Sequence, residues 1–359
     1  MKYRNVMILP PVTLTGAQTK TIAINIHDVI SRMTVVWSVT KVKIGMTSYA
    51  HRDVTRIELV DGSDVLFSMD GGEAAALMMY DRKVPTYWHG AAINGNEIYS
   101  QYGIDFGRWL FDEVLALDPS RFSNLQLKVT VNPELCELGG SAGELSVHAD
   151  VFDEQVPTPA GFLMSKEHYK AVMGGTGTHT YIDLPTDFPI RKMLVQGYQA
   201  SKEPWNQVHN VRIDEENEKR VPLDWPMYEY YAYRKSIDTP VQEHIASQAE
   251  AGGTLLYTTP TDYWCTIVTV AHAAGGIFVP AGASPGGVFT ITPNAGTAYQ
   301  AVVKGWLPNH CFQFPFGYQA DISDWYDVTR LGHVRLRLTA GTYGAAGMQA
   351  VVLQQNRSY

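Results

Sequence analysis

The sequence predicts a mainly β chain made of two tandem eight-stranded jelly-roll sandwiches with short inserted helices. Three observations carry that prediction. Hydrophobicity alternates with a period of two along most of the chain, helix signals are few and short, and one order of sequence blocks occurs twice. Alternation at period two buries one face of a strand and wets the other, whereas a buried helix needs a period of 3.6.

In chain order, the first strand lies at Ile22-Ala-Ile-Asn-Ile. Val35, Trp37 and Val39 alternate with Val36, Ser38 and Thr40, and Ile57 and Leu59 with Arg56 and Glu58. Asp61-Gly62 supplies a hairpin turn, and Val65-Leu-Phe returns from it. Asp70 then caps a helix over Gly71 to Arg82, with Glu73 completing a capping box and Ala74-Ala-Ala in its body. Leu125-Gln-Leu-Lys-Val-Thr-Val alternates through seven residues. Ser165 to Met173 is expected to form a second helix, stopped by Gly174-Gly175. Val211-Arg-Ile, the turn Asp214-Glu-Glu-Asn217 and Val221-Pro-Leu form a hairpin leading to a helix start at Asp224-Trp-Pro-Met. Thr239-Pro-Val-Gln242 has Thr at N-cap, Pro at N1 and Gln at N3, and predicts a helix to Ala251, ended by Gly252-Gly253. Val334-Arg-Leu-Arg-Leu-Thr and Ala350-Val-Val-Leu are the closing strands.

The repeat is visible in Asp118-Pro-Ser-Arg-Phe-Ser-Asn-Leu-Gln-Leu-Lys-Val-Thr130 against Asp327-Val-Thr-Arg-Leu-Gly-His-Val-Arg-Leu-Arg-Leu-Thr339, at an offset of 209. Phe106-Gly107 precedes the first and Phe316-Gly317 the second, while Ala142-Gly143 and Val147 follow as Ala346-Gly347 and Val351 follow. The Ile57 and Val211 hairpins match at an offset of 154, so the second copy carries some 55 further residues in its middle. A period this long is a duplicated domain rather than a solenoid repeat. The expected domains are 1–165, the first roll, and 166–359, the second, with an inserted loop-rich region at about 239–309. Asp118 with Arg121, and Asp327 with Arg330, read as one turn lock used in both copies.

Composition removes several function classes. The 359 residues hold 28 Lys and Arg against 36 Asp and Glu, a net charge of −8, which opposes a general nucleic-acid binder. Three cysteines, Cys136, Cys265 and Cys311, lie far apart and suit neither a disulfide framework nor a structural zinc site. The N-terminus is broken by Pro10-Pro11 too early for a signal peptide, and no apolar run reaches a membrane span, so a soluble chain from a reducing compartment is expected. No charged residue occurs between Asp262 and Lys304. The prolines and paired glycines there exclude a membrane helix, leaving a second core or an inter-subunit contact as the reason.

Catalytic and cofactor signatures are missing. The eleven histidines show no HxH or HExxH spacing. Gly282-Ala-Ser-Pro-Gly286 has the spacing of a nucleophile elbow but reads as loop into strand. Gly174-Gly-Thr-Gly lacks the spacing of a dinucleotide or phosphate loop. Asp112-Glu113 and Asp214-Glu-Glu216 are expected as solvated turns. The aromatics Trp225, Tyr228, Tyr230, Tyr231 and Tyr233, and Tyr87-Trp88-His89, suit either a subunit interface or sugar stacking. No catalytic residue, cofactor or metal ligand is therefore assigned.

Two rolls in one chain of this length, each with a helix after an early hairpin, resemble the double-jelly-roll major capsid proteins of tailless icosahedral bacteriophages, many of which contain a membrane. The resemblance covers the chain from Ile22 to Leu353 and rests on pattern and duplication. It implies a non-enzymatic structural protein of the virion, assembled in the host cytoplasm as a homotrimer. Six rolls would then form a pseudo-hexagonal block that tiles an icosahedral face. It also implies neighbouring capsomers, penton or minor capsid proteins and an internal lipid membrane as partners, with no sequence-specific nucleic acid. Loops at one end would form outer towers. The N-terminus, with Lys2, Tyr3 and Arg4, would face membrane or genome. The rival readings are a carbohydrate- or receptor-binding double sandwich, as in a spike or lectin, and a two-roll glycan-processing enzyme.

Overall fold

The computed structural model describes residues 1–40, 48–82, 89–92, 97–136, 140–248, 254–271, 277–278, 284–291 and 298–359. The first roll consists of β1 (Tyr3–Thr15), β2 (Gln18–Ala23), β3 (Ile30–Thr40), β4 (Val54–Asp61), β5 (Asp64–Met69), helix α1 (Gly71–Arg82), β6 (His89–Ala92), β7 (Glu97–Asp105), β8 (Leu125–Val131) and β9 (Ala142–Phe152). The second consists of β10 (Gly161–Val172), β11 (His179–Asp183), β12 (Ile190–Tyr198), α2 (Pro204–Gln207), β13 (Val208–Glu215), β14 (Arg220–Pro226) and α3 (Met227–Lys235). An insertion follows, with β15 (Val241–Gln248), β16 (Thr254–Tyr257), β17 (Thr266–Ala271), β18 (Ile277–Phe278), β19 (Val288–Ile291) and β20 (Ala298–Gly305). β21 (Cys311–Pro315), β22 (Val334–Ala340) and β23 (Met348–Ser358) complete the second roll.

Strand order makes the duplication explicit. The first roll pairs β1-β9-β3-β7 in one sheet and β2-β8-β4-β5 in the other. The second repeats both orders as β10-β23-β12-β21 and β11-β22-β13-β14. Each four-strand order skips between distant segments, as a jelly roll requires. The register irregularities recur as well. A shift between Met7 and Leu9 against β9 has its counterpart between Glu167 and Tyr169 against β23. Shifts at Ile30/Arg32 and Val54/Arg56 recur at Ile190/Lys192 and Val208/Asn210. Bulges bend a strand at a chosen place, and three shared bends mark two copies of one design.

The alternating residues become the cores. Met33, Val35, Trp37, Ile57, Leu59, Leu127, Val129, Leu145 and Val147 meet in the first. Met193, Val195, Val211, Ile213, Leu336, Leu338, Val351 and Leu353 meet in the second. α1 forms where Asp70 and Glu73 predict it: the Glu73 N–H donates to the Asp70 carboxylate at 2.8 Å and the Asp70 N–H to the Glu73 carboxylate at 3.1 Å.

Four expectations are corrected. Ser165 to Met173 is not a helix: through Val172 it is the second half of β10, whose backbone pairs antiparallel with β23 and, at Ser165 and Lys166, parallel with β5. Local polarity there carries neither period, and the two neighbouring strands decide the conformation. The predicted helix from Thr239 is strand β15 over its described part, held by β20 on one side and β6 on the other. Val241, Glu243, Ile245 and Ser247 are buried while Gln242, His244, Ala246 and Gln248 are half-buried, a period of two that the cap-like Thr-Pro-Val-Gln disguised. The stop expected at Gly252-Gly253 lies outside the described residues. Over its described residues the region 239–309 is largely strand rather than loop, with a core of Ile245, Leu256, Phe289, Ile291, Tyr299, Ala301 and Val303. Finally, the expected boundary after residue 165 falls inside β10, which pairs throughout with β23, so the change of roll lies between Phe152 and Gly161.

The ends of the rolls differ in kind. The insertion and the β6 segment occupy the same place in the two copies, between the hairpin helix and the next strand. They merge, because β6 pairs in parallel with β15 and extends one sheet from β1 to β18. The chain termini lie at the opposite end: Tyr3 pairs with Phe152, and Gly161 with Ser358.

Candidate functional site

No catalytic centre emerges where sequence spacing invited one. Ser284 is buried and precedes one 3-10 turn that leads into β19, and Gly282 and Ala283 lie outside the described residues. That is a loop into a strand, not the strand-to-helix elbow a nucleophilic serine needs. Asp112 is held by Arg108 at 2.7 Å. Asp214 and Glu215 are buried rather than solvated, correcting the expected exposed turn. Arg212 holds Asp214 at 2.6 Å, and Arg220 and the Tyr326 hydroxyl hold Glu215 at 2.9 and 2.7 Å. Glu216 does lie at the turn and accepts the N–H groups of Gly332 and His333. Among the described residues, the one group of acidic, His or Cys side chains close enough to share a metal is Asp70, Glu73 and Glu167. Its centre already holds the Lys170 ammonium, at 2.6, 3.2 and 3.1 Å from the three carboxylates.

That cluster belongs to the seam between the rolls, where the structure concentrates its buried charge. Lys170 and Glu167 come from β10, Asp70 and Glu73 from the start of α1, and Arg56 from β4 reaches Glu167 at 2.8 Å. Burial raises the Glu73 carboxyl well above its ordinary range, with Asp70 adding to the rise and Lys170 opposing it. Burial likewise raises Glu167, but Lys170 and Arg56 outweigh it and keep that carboxyl below its ordinary range. At the other end of α1, Asp81 accepts from both Arg191 and Lys192 at 2.7 Å and from Gln354 at 2.8 Å. Burial alone would raise Asp81, yet the two cations hold it far below the usual carboxylate range. The register shift at Ile190/Lys192 accompanies this sharing of one carboxylate by adjacent side chains. β12 is buried on both faces in consequence. Met193 and Val195 enter the second core while Leu194 joins Ala74, Ala75 and Leu77 of α1 in the first.

A second joint ties the insertion to both rolls. Tyr49, Tyr198 and His310 pack edge to face at 5.0 to 6.0 Å, and His51 stacks on Tyr49. Burial lowers His51 to about 4 and His310 to about 3. Glu243 of β15 lines a small cavity with His51, Ala75, Thr259 and Asn309. Burial raises its carboxyl to about 7, although the Thr259 N–H donates to it at 2.6 Å.

The sequence-predicted residues sit at the end with the termini. Tyr3 stacks on Phe111 at 3.9 Å and meets Phe152 edge to face. Arg4 pairs with Asp28 and, at 3.3 Å, with Asp153, while Lys2 is exposed. Trp109 and Leu110 are exposed at this end too, on the segment after β7. Asp118 accepts the N–H of Ser120 at 3.0 Å and Asp327 that of Thr329 at 3.1 Å. Arg121 and Arg330 lie at 3.4 and 3.2 Å from these carboxylates. The seam charges were not singled out from the sequence, and only the capping box at Asp70 and Glu73 hinted at them. Tyr87 and Trp88 lie outside the described residues.

No protein-family model and no curated protein sequence matches the chain. Solved structures do. The major capsid protein of STIV superposes over 99% of this chain and 96% of its own, with a TM-score of 0.61 at 9% identity. The PBCV-1 virus capsid protein superposes over 99% and 93%, at 0.57 and 11%. The major capsid protein from bacteriophage PM2 superposes over 99% and 98%, at 0.53 and 8%. Shared strand order in both halves, the matched bulges and superposition along nearly the full length of three viral capsid proteins show that this chain has the double-jelly-roll fold.

Proposed function

We propose that the protein is a major capsid protein that works by assembly: three copies form a six-roll block, and the blocks tile an icosahedral shell. The observation that carries this reading is the whole-chain superposition on capsid proteins of three viruses at TM-scores above 0.5. The two interlocked copies of one roll within a single chain support it. The merged insertion is the tower at the outer end. The opposite end, with Lys2, Tyr3, Arg4 and the exposed Trp109 and Leu110, faces inward to membrane or genome. Lys2 supplies the cation of that end, because Arg4 is engaged by two carboxylates. Neighbouring blocks and vertex proteins are the further partners, and the virion is the location. The buried polar clusters serve cohesion, since their side chains bind one another across the two rolls, and no catalytic role is assigned.

Negative-stain imaging with multi-angle light scattering tests the reading. The expected result is a three-chain mass and a pseudo-hexagonal outline. A stable single-chain mass at every concentration in physiological salt would overturn it. A carbohydrate-binding double sandwich would instead give reproducible glycan-array signals from a single-chain species.

A further inference from the structure

The joint between the insertion and the rolls buries a carboxyl group that, among the described residues, has no lysine or arginine beside it. Glu243 is 5% exposed on the inward face of β15. It lines a cavity of about 20 Å³, room for one water molecule. The ionisable groups facing it across that cavity are Tyr49 and His51, from the segment before β4, and Tyr257 of β16. Tyr198 of β12 and His310 pack behind Tyr49. Burial lowers His51 to about 4 and His310 to about 3, so both imidazoles are neutral in neutral solution. Within its own sheet Glu243 lies opposite Val303 of β20. Lys304 is exposed beside Gln242, and His89 of β6 pairs with His244. A carboxyl so placed resists ionising, because the charged form would give up its water without gaining a partner.

Hydrogen bonds make this carboxyl a support of the joint. Glu243 accepts the Thr259 N–H at 2.6 Å, and the Thr259 carbonyl accepts the Asn309 N–H at 2.9 Å. Asn309 donates its side-chain amide to the Gly72 carbonyl of α1 at 3.1 Å, and its carbonyl accepts from Gln196 of β12 at 3.1 Å. The insertion, the helix of the first roll and a strand of the second thus meet through one run of contacts. That run also fixes a strained loop. Leu307, Asn309 and His310 have φ of 56, 50 and 64°. Residues other than glycine keep a left-handed backbone only where their surroundings hold it, and such strain accompanies elements with two arrangements.

We propose that this joint is a proton-operated latch: it holds the insertion on the rolls while Glu243 is protonated, and it opens locally when that carboxyl ionises and draws water into the cavity. The proton passes to solvent and no covalent bond changes. The latch belongs to the single chain and does not rest on the shell reading. Its direction follows from burial, which raises the carboxyl from 4.5 to about 7. The closed joint has its full advantage below pH 4.5 and loses it as pH rises through 7. With an ordinary, hydrated carboxyl in the open form, these two values make the local opening constant rise about tenfold between pH 6 and 8.

The test is hydrogen exchange read by mass spectrometry on the full chain at pH 6 and 8, with rates corrected for the intrinsic pH dependence of amide exchange. Peptides covering 241–248 and 254–260 are expected to open about tenfold more at pH 8, while those covering 190–198 change less than about twofold. Glu243→Gln stays neutral at both values and should remove the difference. An unchanged rise in the Glu243→Gln protein would take the carboxyl out of the cause and overturn the latch. An equal rise over 190–198 would make the opening global and overturn it too, as would the absence of any rise in the unaltered chain. If Glu243→Gln does not fold, the unaltered protein still decides the matter through the carbon-13 resonance of the assigned Glu243 carboxyl. A midpoint near 7 is expected, and a midpoint near 4.5 would refute the proposal.

Discussion

Asp81 is a counter-charge shared by two buried cations, Arg191 and Lys192, which are 4 and 3% exposed. Removing one member of a buried ion group strands the others, at a cost of about 3–5 kcal/mol. Asp81→Asn is therefore expected to lower stability by that amount in a denaturant titration, whereas Arg330→Ala, at an exposed pair, changes it by less than about 1 kcal/mol. Glu243 makes a pH prediction with a definite sign. Its folded value of about 7 lies above the ordinary 4.5, so folding favours the protonated form. That contribution is complete below pH 4.5 and is lost as pH rises through 7, amounting to about 3 kcal/mol by pH 8. Glu243→Gln should flatten the decline between pH 5 and 8. His51 and His310 act in the opposite direction. Their folded values near 4 and 3 lie below the ordinary 6.5, so stability present above pH 6.5 is lost as pH falls toward 3. The joint between insertion and rolls is thus firmest in mildly acidic solution.

At the scale of elements, β12 shows how a neighbour rewrites a strand. In β3 alternate residues are buried over most of the strand, whereas in β12 every residue from Ile190 to Gly197 is buried. The difference is α1, which supplies a second apolar surface. Peptides covering 190–198 are expected to be among the slowest to exchange amide hydrogen, and those covering 18–23, on an edge strand, among the fastest. Leu194→Ala should cost about 2–5 kcal/mol, as for a core leucine, although an outward-facing strand position would ordinarily cost far less. The same logic explains the two misread helices. β10 has a polar second half because Lys170, Glu167 and Ser165 serve the seam, and β15 buries a glutamate where alternation would ask for an aliphatic residue. Element type there is set by pairing partners distant in sequence, which local propensity does not register.

For the whole molecule, the sheets cross the domain division. One eight-stranded sheet runs β2-β8-β4-β5-β10-β23-β12-β21, half from each roll, and one nine-stranded sheet carries the first roll into the insertion. Calorimetry should consequently show one unfolding transition rather than two. A fragment of residues 161–359, deprived of α1 and β5, should remain unfolded or aggregate, exposing Leu194 and the Asp81 cations. Two well-separated transitions would show that the rolls are independent.

The amino-acid sequence alone determined the β class, the duplication and the capped helix α1. These rest on information carried within a few residues, such as alternation in Leu125 to Val131 or the Asp70–Glu73 box. It also revealed the repeated Asp-x-Ser/Thr-Arg turn, because that lock closes within four residues. Tertiary structure decided the rest. Lys170 finds Asp70 across 100 positions, Asp81 finds Arg191 across 110, and β6 finds β15 across more than 150. The uncharged stretch beginning at Tyr263 became part of a small third core, since Phe289, Ile291, Tyr299 and Val303 bury one another. Such pairings depend on which surfaces two folded sheets bring together, and the free energy of a buried charge or a shared strand exists only once both sides are in place.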